Sequence, residues 1–183
     1  MATHIGDPRL EKLCLAPYVV ESVLTAPETL FRTLSEKCSS RESRAWGAFA
    51  LGRHLEARAR VVRHIRIDPE FAEHIRSTMD PTEYQSLNSK DPAALEQEAV
   101  AAFQSVLETA PDVRGADRPT LGEEARGDLF ELERLTVGKL APEIEGQDVE
   151  GRPMKLSTFR GKFGVSDSGA PGRIRCLISS GCL

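Results

Sequence analysis

Aromatic residues make up only 5% of this 183-residue chain, with a single Trp. A core of any size must therefore rest on Leu, Val and Ala, which favours closely packed helices. No stretch reaches the roughly 20 apolar residues of a membrane-spanning helix. The opening MATHIGDPRL lacks the basic start and apolar run of a secretory leader, so a cytoplasmic protein is the expectation. Charge of neither sign dominates: 24 Lys and Arg stand against 28 Asp and Glu, a net charge of -4. That balance offers no global positive field to nucleic acid. The four cysteines, Cys14, Cys38, Cys176 and Cys182, include no Cys-x-x-Cys pair and are too sparse for a disulfide framework.

Metal-ligand spacing is missing as well. His54, His64 and His74 recur at intervals of ten, which on a helix does not return to one face. They read as solvated or capping side chains. The basic run 58–66, flanked by Glu56, Asp68 and Glu70, reads as a solvated helix face, and Glu96, Glu98 and Glu108 as the wet side of another helix. Cys14 and Cys38 sit among leucines and read as buried, reduced thiols. No catalytic, cofactor-binding or metal-ligating residue is assigned, and no cofactor is implied.

What is present is helix punctuation. Asp-Pro occurs at Asp7-Pro8, Asp68-Pro69, Asp80-Pro81 and Asp91-Pro92. Asp accepts from first-turn amides, and Pro fits the first helical position because it has no amide to leave unpaired. Thr25 with Glu28, Ser39 with Glu42, Asp80 with Glu83 and Thr120 with Glu123 add capping-box spacing. Apolar residues repeat every three or four positions from Ala48 to Ile65, from Leu95 to Leu107 and from Leu121 to Leu135. These predict a long helix over about 41–65, a second ended by Ala110-Pro111, and a third before residue 136; residues 69–89 predict two short helices joined through Met79-Asp80-Pro81. Trp46 reads as a core anchor. SRAWGAFALGRHLEARA, from Ser43, and AVAAFQSVLETAPD, from Ala99, resemble the two helices of a tetratricopeptide unit. No second copy recurs at a fixed period, so a helical bundle is favoured over a repeat array, with a protein partner as its possible ligand.

After Leu135 glycine and proline break the helical period. Residues 144–148 and 153–156 predict two strands around a turn at 149–152, followed by a helical turn at 158–160 capped by Ser157. Val137-Gly138, Ala141-Pro142, Asp148, Gly151, Leu156-Ser157 and Arg160-Gly161-Lys162 succeed one another at a characteristic spacing. In that order they resemble the N-terminal hairpin of the alkyl-hydroperoxide-reductase/thiol-specific-antioxidant (redoxin) family, and above all bacterial thiol–disulfide oxidoreductases, many of them exported. LGEEARGDLFELERLTVGK is similar to a helical extension found on some of these proteins.

The resemblance implies a thioredoxin-like fold in which a buried strand leads to a Cys-x-x-Cys at a helix N-terminus. That placement lowers the thiol pKa, and the second cysteine resolves the mixed disulfide. The residues after Lys162, FGVSDSGAPGRIRCLISSGCL, do not continue the pattern: Gly164, Ser166, Ser168 and Gly169 interrupt a buried strand, and Cys176 and Cys182 are too widely spaced. A shifted reading frame is one explanation, since codons permitted for residues 167–172, read two bases later, can encode Phe-Trp-Gly-Ala-Trp. The expected architecture is therefore mostly α. A helical domain occupies 1–135, the hairpin of an incomplete redoxin-like domain 136–162, and an irregular, mostly disordered tail 163–183. Thiol–disulfide exchange or peroxide reduction is the activity implied by ancestry, with no turnover expected from this chain. A helical protein-interaction module is the alternative.

Overall fold

A computed structural model describes residues 13–115, 119–136, 140–147 and 150–159, together with the backbone of 163–167 and 175–179. The chain divides into two compact units, Met1–Thr136 and Val137–Leu183. It is mostly helical. The first unit contains α1 (Pro17–Val20), α2 (Thr25–Lys37), α3 (Arg41–Ile67), α4 (Pro69–Thr78), α5 (Pro81–Asn88), α6 (Pro92–Thr109) and α7 (Leu121–Phe130). The last of these runs on into a π-helical turn, Glu131–Leu135. No helix among the described residues is long and apolar enough to cross a membrane.

Helix α3 is the central element, packed on α2 along one side and α6 along another. Its buried face runs from Ala45 through Phe49, Leu55 and Ala59 to Ile65. Glycine permits both close crossings: a Cβ on Gly47 would lie 2.7 Å from the Leu34 Cβ of α2, and one on Gly52 would lie 2.7 Å from the Phe103 ring of α6. The two helices that resemble a tetratricopeptide pair thus meet, although α4 and α5 intervene in sequence. Trp46 is buried and edge-on to Phe49, which is in turn edge-on to Phe103. A smaller cluster of Val62, Ile65 and Leu87, flanked by Phe71, Ile75 and Tyr84, fastens α4 and α5 to the far end of α3.

The helix boundaries obey the Asp-Pro punctuation. Asp68, Asp80 and Asp91 each accept first-turn amides ahead of a proline. Asp7-Pro8 lies outside the described residues. Of the four capping boxes expected, only Thr120 with Glu123 closes in both directions. At α2 the N-cap is Leu24 without a side-chain bond. Thr25 instead gives its amide and hydroxyl to Glu83 of α5, while Glu28 is taken by arginines. Asp80 therefore caps without Glu83 reaching back. At α3 the cap is Ser40, not Ser39.

In the second unit, β1 (Glu145–Gln147) pairs antiparallel with β2 (Pro153–Lys155), Gly146 opposite Met154. Gly151 has φ +82, a left-handed conformation that glycine adopts without a Cβ clash. The first strand begins one residue later and the second ends one residue earlier than the sequence predicts, residues 148, 149 and 160 lying outside the described residues, and the next turn, Leu156–Phe159, is a 3-10 helix. Its cap also differs from expectation: the Ser157 amide donates to the Glu143 carboxylate at 2.9 Å. In the segment read as an irregular tail, β3 (Phe163–Asp167) forms an antiparallel ladder with β4 (Arg175–Ser179), Val165 opposite Leu177.

Candidate functional site

The helical unit contains a cleft of about 200 Å³ whose walls come from three places. Cys14, Leu15, Pro17, Val20 and Glu21 line it from α1 and its flanks; Arg53, Glu56, Ala57 and Arg60 from α3; Asp128 and Glu131 from the α7 end. The α3 residues recur at three and four positions and so share one face, and Asp128 and Glu131 are likewise one turn apart. Glu131 opens the π-helical turn, a widened backbone geometry that often accompanies functional sites. Four carboxyl groups thus face two guanidinium groups.

Electrostatics single out two of the carboxyls. Burial raises the Asp128 pKa above the ordinary carboxylate range, and the charges of Glu131 and Glu124 push the same way against Arg53. Burial raises Glu56 too, with Asp128 and Glu131 adding to it while Arg60 and Arg53 oppose. Arg53 Nε lies 3.5 Å from Asp128 Oδ2, close enough for attraction. Yet that oxygen is buried with no hydrogen-bond partner among the described residues. Arg53 is also drawn to the Phe49 ring, 5.6 Å from its centroid, and Arg60 reaches Glu56 only at 3.9 Å. The two arginines therefore leave the carboxyls underneutralised.

Behind the cleft lies a second polar cluster. His54 and Arg58, one turn apart on α3, are both fully buried. His54 Nδ1 is 3.1 Å from the Val20 carbonyl, and the Phe31 ring meets the imidazole edge-on. Arg58 pairs with Glu28, which also accepts from Arg32, and Arg32 continues to Glu98 of α6. The solvated reading of His54 and Arg58 is thus overturned. Arg58 stands three residues after Leu55 and four before Val62, squarely on the apolar stripe, and its charge is tolerated there because Glu28 meets it.

Other residues singled out in the sequence fall into place around these clusters. His64 is exposed, stacked on Phe71 and 3.3 Å from Asp68, while His74 is exposed on α4. Glu96 and Glu98 are not simply a wet face: they pair with Arg63 of α3 and Arg32 of α2. Glu108 is exposed. Cys14 and Cys38 are buried and not joined in a disulfide. Cys176 falls in β4 with its side chain outside the described residues, and Cys182 lies outside them altogether. Among the described residues no group of three His, Cys, Asp or Glu side chains is placed to hold a metal ion.

Sequence reasoning missed Glu56, Asp128, Arg53 and Arg60 as a group. One signal was there to find: Asp128 sits seven residues after Leu121 and four before Leu132, inside an apolar stripe. Comparison with known protein families, with curated proteins and with solved structures returns no match.

Proposed function

We propose that the helical unit is a protein-interaction module whose cleft receives a Lys or Arg side chain from a basic segment of its partner. The observation that carries this reading is Asp128, a half-buried carboxylate whose buried oxygen lacks a hydrogen bond among the described residues and whose proton affinity is raised despite a nearby arginine. A cation entering the cleft supplies that missing partner. At an effective dielectric of about 20, a unit charge about 4 Å away gains on the order of 4 kcal/mol before its own desolvation is deducted. A charge-assisted hydrogen bond then fixes the geometry. The test is calorimetric titration of the full chain with tetralysine at low salt. Saturable binding that Asp128→Asn weakens about tenfold, and that salt screens, agrees with the cleft. Equal affinity for the wild type and Asp128→Asn contradicts it.

We also infer that the second unit is redoxin-derived but does not exchange disulfides in this chain. The β1–β2 hairpin, its left-handed Gly151 and the single helical turn after it support that reading. The chemistry needs a thiolate stabilised at a helix N-terminus and a resolving thiol nearby, whereas Cys14 and Cys38 are buried in the helical unit. Insulin reduction and peroxide consumption are both expected to stay at background. Turnover that Cys176→Ser abolishes is the contrary result.

A further inference from the structure

Helix α1 is only four residues long, yet it supplies Pro17 and Val20 to the cleft and is followed by Glu21. Three of its carbonyls have partners. Glu21 N donates to Pro17 O, Ser22 N donates to Val19 O, and the Val20 carbonyl faces His54 Nδ1 at 3.1 Å across 34 residues of sequence. A carbonyl only accepts, so Nδ1 carries the hydrogen and the neutral ring leaves Nε2 bare. Nε2 is buried, with no hydrogen-bond partner among the described residues. The charged groups around the ring are Arg58 on its own helix and Glu28 and Arg32 on α2. Glu28 is already engaged by both arginines.

From this arrangement we infer that His54 is a proton-sensitive latch: neutral, it fixes the end of α1 as one wall of the cleft, and a second proton on Nε2 releases that wall. The ligand side of this inference rests on the cleft reading above; the latch itself does not. A proton arriving at Nε2 creates a buried N–H with no acceptor, on a ring that then carries charge beside two guanidinium groups. The least costly relief is to move the ring toward solvent, which removes the donor from the Val20 carbonyl. Burial and the two arginine charges already lower the His54 pKa below its usual value. Release is therefore expected on the acid side of neutrality.

The test uses two readouts on the full chain between about pH 5 and pH 7.5: amide exchange of residues 19–22, whose backbone N–H groups are hydrogen-bonded, and affinity for tetralysine. His54→Asn places an amide donor where Nδ1 stands but does not titrate in this range, and His54→Leu removes the donor. After division by the intrinsic exchange rate at each pH, the wild type is expected to protect these amides about fivefold less, and to bind about fivefold more weakly, at the acid end. His54→Asn should show flat protection, leaving in its binding profile only the part due to Glu56 and Asp128. His54→Leu should show low protection throughout. Identical exchange profiles for the wild type and His54→Asn overturn the latch. Absence of tetralysine binding by the wild type at pH 7.5 overturns the cleft reading alone, because exchange still reports on the latch.

Discussion

Glu56 and Asp128 hold their protons more tightly in the folded chain than exposed carboxyls do, and the cause is burial with too little positive charge beside it. The stability this proton affinity supplies is complete below the unfolded carboxyl pKa of about 4 and is lost as pH rises through the folded value. Ionising either side chain in the folded chain therefore carries a cost that an exposed carboxyl does not. Asp128→Asn and Glu56→Gln should each raise stability at pH 7 by about 1 kcal/mol in urea unfolding while weakening cation binding. Stability and binding moving in opposite directions mark a binding site; a parallel loss would assign the pair a structural role. Gly47 and Gly52 test the packing at the same scale. Alanine gains about 1 kcal/mol of helix propensity over glycine, but here its Cβ would stand 2.7 Å from α2 or from the Phe103 ring. A net loss of about 1–3 kcal/mol is expected for each substitution. A stabilised Gly52→Ala protein would show that α3 and α6 are not so close. Residues of this kind are the hardest to read from sequence. His54 and Arg58 look like surface residues by type, and only their place one turn apart on an apolar stripe marks them as interior.

Among the elements, the termini of helices were the most legible, because caps are local chemistry. Asp-Pro places α4, α5 and α6 correctly, and the Thr120 and Glu123 box opens α7. Thr120→Ala should cost about 1 kcal/mol, measured as a lowered urea midpoint with unchanged slope. Capping boxes fail where a tertiary partner outbids the local one. Glu83 serves Thr25 across 58 residues instead of its own helix end, and Glu28 is drawn to Arg58. Spacing alone does not reveal such competition. The hairpin was legible from its turn residues, yet its first strand begins at Glu145, one residue later than the alternation suggests. The π-helical turn after α7 carries no sequence signature that the apolar stripe could disclose.

At the scale of the whole molecule the helical unit has its own core, gathered around α3. A fragment of residues 1–136 is accordingly expected to unfold cooperatively in urea. A molten fragment that gains its structure only in the full chain would show that the core depends on residues 137–183. Acid stability should report His54. Its folded pKa lies below the unfolded value, so the stability it contributes is complete above about pH 6.5 and declines as pH falls through the folded value. His54→Asn should flatten that decline. Mostly helical architecture was legible from apolar period and punctuation alone. The cleft was not, because it is assembled from α1, α3 and α7, whose shared surface no local pattern encodes.

The most direct measurement is nitrogen-15 chemical-shift mapping of the full chain during titration with tetralysine at pH 7.5. Saturable shifts concentrated at Arg53, Glu56, Arg60, Asp128 and Glu131, with a midpoint about tenfold higher in Asp128→Asn, are the expected result. Shifts scattered over the exposed acidic residues, or centred away from these five and persisting in the variant, would contradict a cation site in this cleft.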